Sequence, residues 1–374
     1  MIDGYLYVPA FRLKEGERMA VESADAAVRS RILPQLVVPP PSEPDPKRPK
    51  RSLTSDELIF EAARRLGDFW PRGSALFDWR YLLPSLEASE SSSLLERLVH
   101  LALDRNDGFI PVLDLRTPID RARALVGAVE RRAVALRVDL EDSSSSDVGG
   151  NIGRVLDQLS LDPACVTLLC DFSDADLQHT EEFADFLAGY FEALSDKSFS
   201  RVVFQASSFP TVNPAKPGGT ATPARYEWLA WQRARSISEG FAAGVLFGDF
   251  VADSSKFIFG KGRAPIAHLR YTRDVDWLIE RGTDRSDIRS VAKRVSSDRG
   301  FSGAEFSVGD RFIYECATGS GRPGGASTWR MANTSHHITK QVRDIATKVG
   351  LELKFKRVEP AREQLALFKD SEIV

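Results

Sequence analysis

FIPVLDLRTPIDRARALVGAVERRAVALRVDL, residues 109–140, is two apolar runs joined by one amphipathic segment. The runs, 109–115 and 133–140, are short, rich in branched residues and almost continuously apolar. Between them, over 120–131, Ala122, Leu125, Val126 and Val129 share one helical face. Thr117 or Asp120 can cap that helix, with Pro118 in its first turn. Strands buried on both faces and alternating with helices predict a parallel sheet covered by helices. Outward from this unit, similar runs occur at 6–10, 32–39, 74–79, 166–172, 201–206 and 244–250. Eight such units predict closure into a (β/α)8 TIM-like barrel with a C-terminal α+β extension. A doubly wound open parallel sheet is the alternative.

With 374 residues, the chain exceeds one barrel of roughly 250. The reading assigns 1–262 to the barrel, 263–358 to an extension packed on it, and 359–374 to a tail expected to be disordered. In the extension, 266–273, 275–281, 311–317 and 351–358 read as strands, and about 335–349 as a helix. Residues 39–51, PPPSEPDPKRPKR, read as an extended, mobile loop over the barrel, carrying Lys47, Arg48, Lys50 and Arg51. A net charge of −3 excludes a wholly basic nucleic-acid coat but leaves room for a local basic patch. The apolar runs are too short for a bilayer, and Met1-Ile2-Asp3-Gly4 lacks signal-peptide character. Cys165, Cys170 and Cys316 have no metal-ligand spacing. A reducing cytoplasm is the expected setting.

Chemistry in such a barrel sits at the carboxyl ends of the strands. Side chains two apart share a face. Asp78 and Arg80, Asp114 and Arg116, and Arg137 and Asp139 therefore bring three acid–arginine pairs to the rim. Asp171, Gln205, Ser207 and Asp249 end later strands, and the first strand runs into Arg12 and Lys14. One reading is a convergent site in which arginines fork onto phosphate and carboxylates act as acid, base or ligand. The other is a ring of ion pairs closing the mouth. The balance of acids and arginines weighs against a carboxylate cage, so no cofactor is assigned and a divalent metal is the minor alternative. Arginines beside the acids also disfavour a carbohydrate hydrolase with paired carboxylates.

Gly319-Ser320-Gly321-Arg322-Pro323-Gly324-Gly325 precedes Trp329, Arg330 and the pair His336-His337. If Thr334 or Ser335 caps the next helix, the histidines occupy its first turn, where backbone N–H groups favour an anion. The loop is not a Walker A motif, because no Gly-Lys-Ser/Thr closes it.

Tyr7-Val8-Pro9 followed by Lys14-Glu15-Gly16-Glu17, then Leu269-Arg270-Tyr271-Thr272 before Ile279-Glu280-Arg281-Gly282, and finally Thr328-Trp329-Arg330 before His336-His337-Ile338-Thr339, run in the order of a known group. The chain resembles the phage-associated "beta protein" family from about Tyr5 to Arg343. The resemblance implies a phage, mobile-element or defence setting. It carries no reaction and no catalytic residues across. The insertion at 39–51 departs from that family's compact second loop.

The resulting expectation is a hydrolase acting on a nucleotide or nucleic acid. Asp114, Asp139, Asp171, His336 and His337 are its catalytic candidates. Lys14, Asp78, Arg80, Arg116, Arg137, Gln205, Asp249, Arg270, Tyr271, Trp329 and Arg330 are its substrate-binding candidates. The alternative is a non-catalytic protein of a phage or defence system that engages DNA-bound machinery. It would use residues 47–51 on nucleic acid and Gln364, Leu365, Leu367 and Phe368, a Gln-Leu-x-Leu-Phe peptide of the kind that docks on the DNA sliding clamp.

Overall fold

The structure is a computed structural model and describes residues 4–43, 53–87, 93–130, 133–144, 147–195, 197–256, 266–356 and 358. The basic segment 47–51 and the tail peptide 364–368 lie outside the described residues.

Eight parallel strands close into a barrel. In chain order they are β1 (Tyr7–Phe11), β2 (Gln35–Val37), β3 (Ala75–Asp78), β4 (Phe109–Asp114), β5 (Val134–Asp139), β6 (Val166–Asp171), β7 (Arg201–Gln205) and, after a two-residue strand β8 (Thr220–Ala221), β9 (Val245–Asp249). Closure is made by β1 pairing with β9, Tyr7 opposite Phe247 and Pro9 opposite Asp249. Helices alternate with the strands, so this is a (β/α)8 arrangement and not an open sheet. The strands are buried on both faces, which is why they read as continuous apolar runs. Val8, Leu33, Leu76, Ile110, Val112, Ala135, Leu169 and Val203 form the plug inside the barrel. No described helix is long and apolar enough to cross a membrane.

Beyond the barrel, β10 (His268–Thr272) and β11 (Trp277–Arg281) form an antiparallel hairpin joined by β8. Three expectations for this region are corrected. Residues 311–317 lie in a helix, Val308–Thr318, not a strand. Gly309, Asp310, Ile313 and Cys316 are its buried face, and Ser307 caps it by accepting from Asp310 N. The histidine helix starts about two and a half turns earlier than expected, running Ala326–Lys348 rather than about 335–349. Residues 351–356 carry no strand pairing. They run along the surface, with Leu351, Leu353 and Phe355 packed on the core and Lys356 N donating to Asp25.

The helix Ala326–Lys348 packs against the helix Glu15–Ser23, which follows β1. Gly16 makes that approach: a Cβ there would lie 2.3 Å from Ser327 O and 3.0 Å from Met331 N, both backbone. Gly16→Ala is expected to cost about 2–3 kcal/mol, since backbone cannot yield as a side-chain tip can. Gly127→Ala, in a helix with nothing within 4 Å, is expected to stabilise by about 0.5–1 kcal/mol. Urea unfolding of the two variants checks the contrast.

Candidate functional site at the carboxyl rim of the barrel

The rim residues expected from the Asp–x–Arg spacing fall into two groups. Asp78, buried at the end of β3, receives Arg137 Nη1 at 2.5 Å, Arg80 Nε at 2.7 Å and Gln35 Nε2 at 3.0 Å. Arg137 also binds Asp114 through Nε at 2.6 Å, and Arg80 reaches Asp171 at 3.1 Å. Gln205 donates to Gln35 at 2.6 Å. Two arginines and three carboxylates thus close one polar layer across the mouth, and their charges hold the Asp78 carboxyl, against its burial, down at about 2. Arg116 and Asp139 pair outside that layer. Arg116 binds Asp139, Glu141 and Asp142 at the surface, and Asp139 caps the short helix Leu140–Ser143.

A second cluster lies on the β1–β9 side of the rim. Asp253, four residues past β9, is gripped by Arg12 at 3.2 Å, Arg270 at 2.7 Å and Arg330 at 3.0 Å. The carboxyl is 14% exposed; against its partial burial, the charges of Arg270, Arg12 and Arg330 hold it far below the usual carboxylate range. Arg330 also reaches Glu17 at 3.3 Å. Glu17 in turn accepts from the backbone N–H groups of Arg12 and Lys14, the reciprocal half of a helix cap. The Lys14 ammonium meets Glu43. Burial first, then the adjoining Arg330 charge, push the Lys14 pKa down to about 8, and Arg65 is a further cation in the same environment. Arg12, Lys14, Arg270 and Arg330 thus gather around Asp253, Glu17 and Glu43, and the three guanidinium groups share the one Asp253 carboxylate. Lys14 and Arg330 keep 29% and 33% of their side-chain surface open to solvent. Tyr81 joins the two groups: Arg80 lies 5.9 Å from its ring centroid, and Asp78, Arg12 and Asp171 all act on its hydroxyl.

The backbone around this cluster is strained. Leu13, between Arg12 and Lys14, has φ of 56°, and Val251, between Asp249 and Asp253, has φ of 57°. A β-branched residue in the left-handed region is an outlier that only a well-packed surround can hold, and such residues gather at functional sites.

The histidines are elsewhere. Both are fully buried in the middle of Ala326–Lys348, not in a first turn, so no free helix N-terminus faces them. His337 Nε2 lies 2.9 Å from Asp249 and 3.1 Å from the Tyr7 hydroxyl, with Nδ1 2.8 Å from Thr272 Oγ1. Its ring stacks on Trp277. His336 Nδ1 lies 3.0 Å from Asp310, Nε2 lies 2.8 Å from Thr272 O, and the ring stacks on Tyr271 at 3.7 Å. Tyr271 donates to Asp310 at 2.6 Å. These contacts bind barrel to extension, and none reaches Asp114, Asp139 or Asp171. Trp329 is buried in the extension core, its indole N–H on Pro323 O. Of the expected binding residues, Lys14, Arg270 and Arg330 converge; Asp249 and Tyr271 belong to the joint.

Arg12, Glu17 and Asp253 were not among the expected site residues. Glu17 carries a readable signal, its three-residue spacing from Lys14. Asp253 carries none, because it sits in a loop whose shape depends on Val251. Among the described residues, no group of three or more His, Cys, Asp or Glu is placed to hold a metal ion.

His268, at the start of β10, lies beside the cluster. Burial, then the Arg270 charge, lower its pKa to about 4. The unfolded chain binds this proton near pH 6.5 and the folded protein does not, so stability falls as pH drops from 6.5 towards 4. The slope from this one group is up to about 1.4 kcal/mol per pH unit. Glu227, whose carboxyl burial raises, works in the opposite sense, so the difference between the wild type and His268→Gln isolates the histidine. Denaturation midpoints at pH 7, 6 and 5 should converge as the pH falls. Parallel curves would refute the assignment.

A family model described as Beta protein matches residues 7–343. No curated protein matches the chain.

Proposed function

The chain belongs to the Beta protein family, and from that premise we propose that it binds a phosphate-bearing ligand, a nucleotide or a nucleic-acid end, at the carboxyl rim of its barrel. The observation that carries this reading is the convergence of three guanidinium groups, Arg12, Arg270 and Arg330, on the single carboxylate of Asp253, with Lys14 and Arg330 still partly open to solvent. Guanidinium forks suit phosphate oxygens, and a partly desolvated cationic cluster gains most from an added anion. Binding is favoured over hydrolysis. Asp114, Asp139 and Asp171 are each held by an arginine, and both His336 and His337 are buried in the joint, so the residues expected to be catalytic are otherwise engaged. A phage or defence setting fits a binding protein as well as an enzyme.

Calorimetric titration with inorganic pyrophosphate tests this. Arg330→Gln and Lys14→Met should each weaken binding by roughly 10- to 100-fold, the loss of one charged hydrogen bond. Arg116→Gln, on the rim but outside the cluster, should change it less than about twofold. Sulfate, fully ionised throughout, should bind more weakly at pH 9 than at pH 7, because Lys14 loses its proton near 8. No binding by the wild type, or equal losses in all three variants, refutes the reading.

A second reading concerns the tail. Val358 O accepts from Arg311 at 2.8 Å, which ties the chain down six residues before Gln364. The Gln-Leu-x-Leu-Phe peptide, residues 364–368, follows in sequence. We propose that it engages a sliding clamp independently of the rim ligand. Leu367→Ala with Phe368→Ala should abolish clamp binding and leave pyrophosphate affinity unchanged.

A further inference from the structure

The extension carries a row of cations that the rim does not use. Arg285, Arg289 and Lys293 are spaced four apart through the turn Arg285–Asp287 and the helix Ile288–Ser296, and all three are exposed. The opposite face, Ile288, Val291, Ala292 and Val295, is buried. The glycine loop lies alongside: a Cβ at Gly319 would be 3.9 Å from Arg289 Nη1, and one at Gly325 would be 4.0 Å from Arg285 Nη2. That loop carries the exposed Arg322 between them. None of these four cations forms an ion pair with a described residue. The acids of the same turn are engaged locally: Asp284 accepts from Ser286, and Asp287 accepts from Thr283. Arg294, on the flank, is taken by Glu280.

Arg289 and Lys293, one turn apart on the helix, repel by a few tenths of a kcal/mol, a cost that an external anion would relieve. Arg285 to Lys293 spans about 12 Å at 1.5 Å per residue. That matches the rise of three to four nucleotides of one strand at about 3.4 Å each. We infer that this row, with Arg322 and the close-approaching glycine backbone, is a binding surface for the phosphodiester backbone of a nucleic acid. Contacts of this kind go to phosphates and carry no sequence information. The inference does not depend on the rim ligand.

The test uses the full chain and a fluorescein-labelled single-stranded oligonucleotide, followed by anisotropy over a series of salt concentrations. Arg285→Gln/Arg289→Gln/Arg322→Gln should lower affinity at least about tenfold at low salt. It should also make the dependence of log K on log salt shallower by about 2, the release lost with three phosphate contacts. The variant should melt no lower than the wild type, and its pyrophosphate affinity should match, which separates the surface from the fold and from the rim. Substituting Lys47, Arg48, Lys50 and Arg51 with alanine should leave most of the oligonucleotide affinity. The inference is overturned by unchanged affinity in the triple variant, by loss only in the 47–51 variant, or by binding to phosphatidylserine vesicles without binding to the oligonucleotide.

Discussion

Asp253→Asn is expected to destabilise the protein by about 3–5 kcal/mol in phosphate-free buffer, and millimolar pyrophosphate is expected to restore much of that loss. The carboxylate is the shared counter-charge of Arg12, Arg270 and Arg330. Without it, three guanidinium groups face one another, and Arg330 retains only Glu17. The isosteric amide keeps the volume, so the loss is electrostatic and not a cavity. A ligand that binds only the folded state adds about 2.7 kcal/mol at one hundred times its Kd. Pyrophosphate should therefore raise the melting temperature of the variant more than that of the wild type, because the variant site has lost a competing anion. A larger shift in the wild type would mean that Asp253 helps to hold the ligand. Loss of stability without rescue would mean that the arginines serve only to pin the loop after β9.

His336→Ala and His337→Ala should each cost about 3–5 kcal/mol, while folded protein should bind pyrophosphate as before. His337 joins Asp249 and Tyr7 of the barrel to Thr272 of the hairpin, with all four groups buried. His336 sits between Asp310 and the Thr272 carbonyl, both of them acceptors. Truncating either ring leaves a buried carboxylate short of a donor, together with a cavity against Trp277 or Tyr271. Urea midpoints and titration of the same samples separate the roles. Histidines that act on a ligand would give the reverse pattern, with stability kept and affinity or turnover lost.

The barrel was legible because its strands are buried on both faces, and residues 109–115 and 133–140 state that directly as unbroken apolar runs. The period of two then brought Asp78, Arg80, Asp114 and Arg137 to one rim. Spacing alone could not say whether these charges face a ligand or each other. Asp78 is reached by two arginines and a glutamine from three other positions, and that convergence is tertiary. The extension was harder to read. Asn333, Thr334 and Ser335 look like the polar cap of a new helix, yet they lie inside one. Their side chains have long-range partners: Asn333 accepts from Arg270 N, and Ser335 accepts from Gly309 N. Polar residues that ordinarily compete with a helix are here pointed out of it. The run 311–317 misleads because Phe312, Ile313 and Tyr314 form a short continuous apolar stretch, while burial follows the helical spacing of Ile313 and Cys316.

The most direct test is a crystal structure of the protein grown or soaked with pyrophosphate. The account predicts density for the anion within hydrogen-bonding distance of Arg330, Arg270, Arg12 and Lys14, with the Glu43 carboxylate displaced from the ammonium. Pyrophosphate bound at Arg80 and Arg137 with the Asp78 layer opened, or bound nowhere on the rim at saturating concentration, would contradict it.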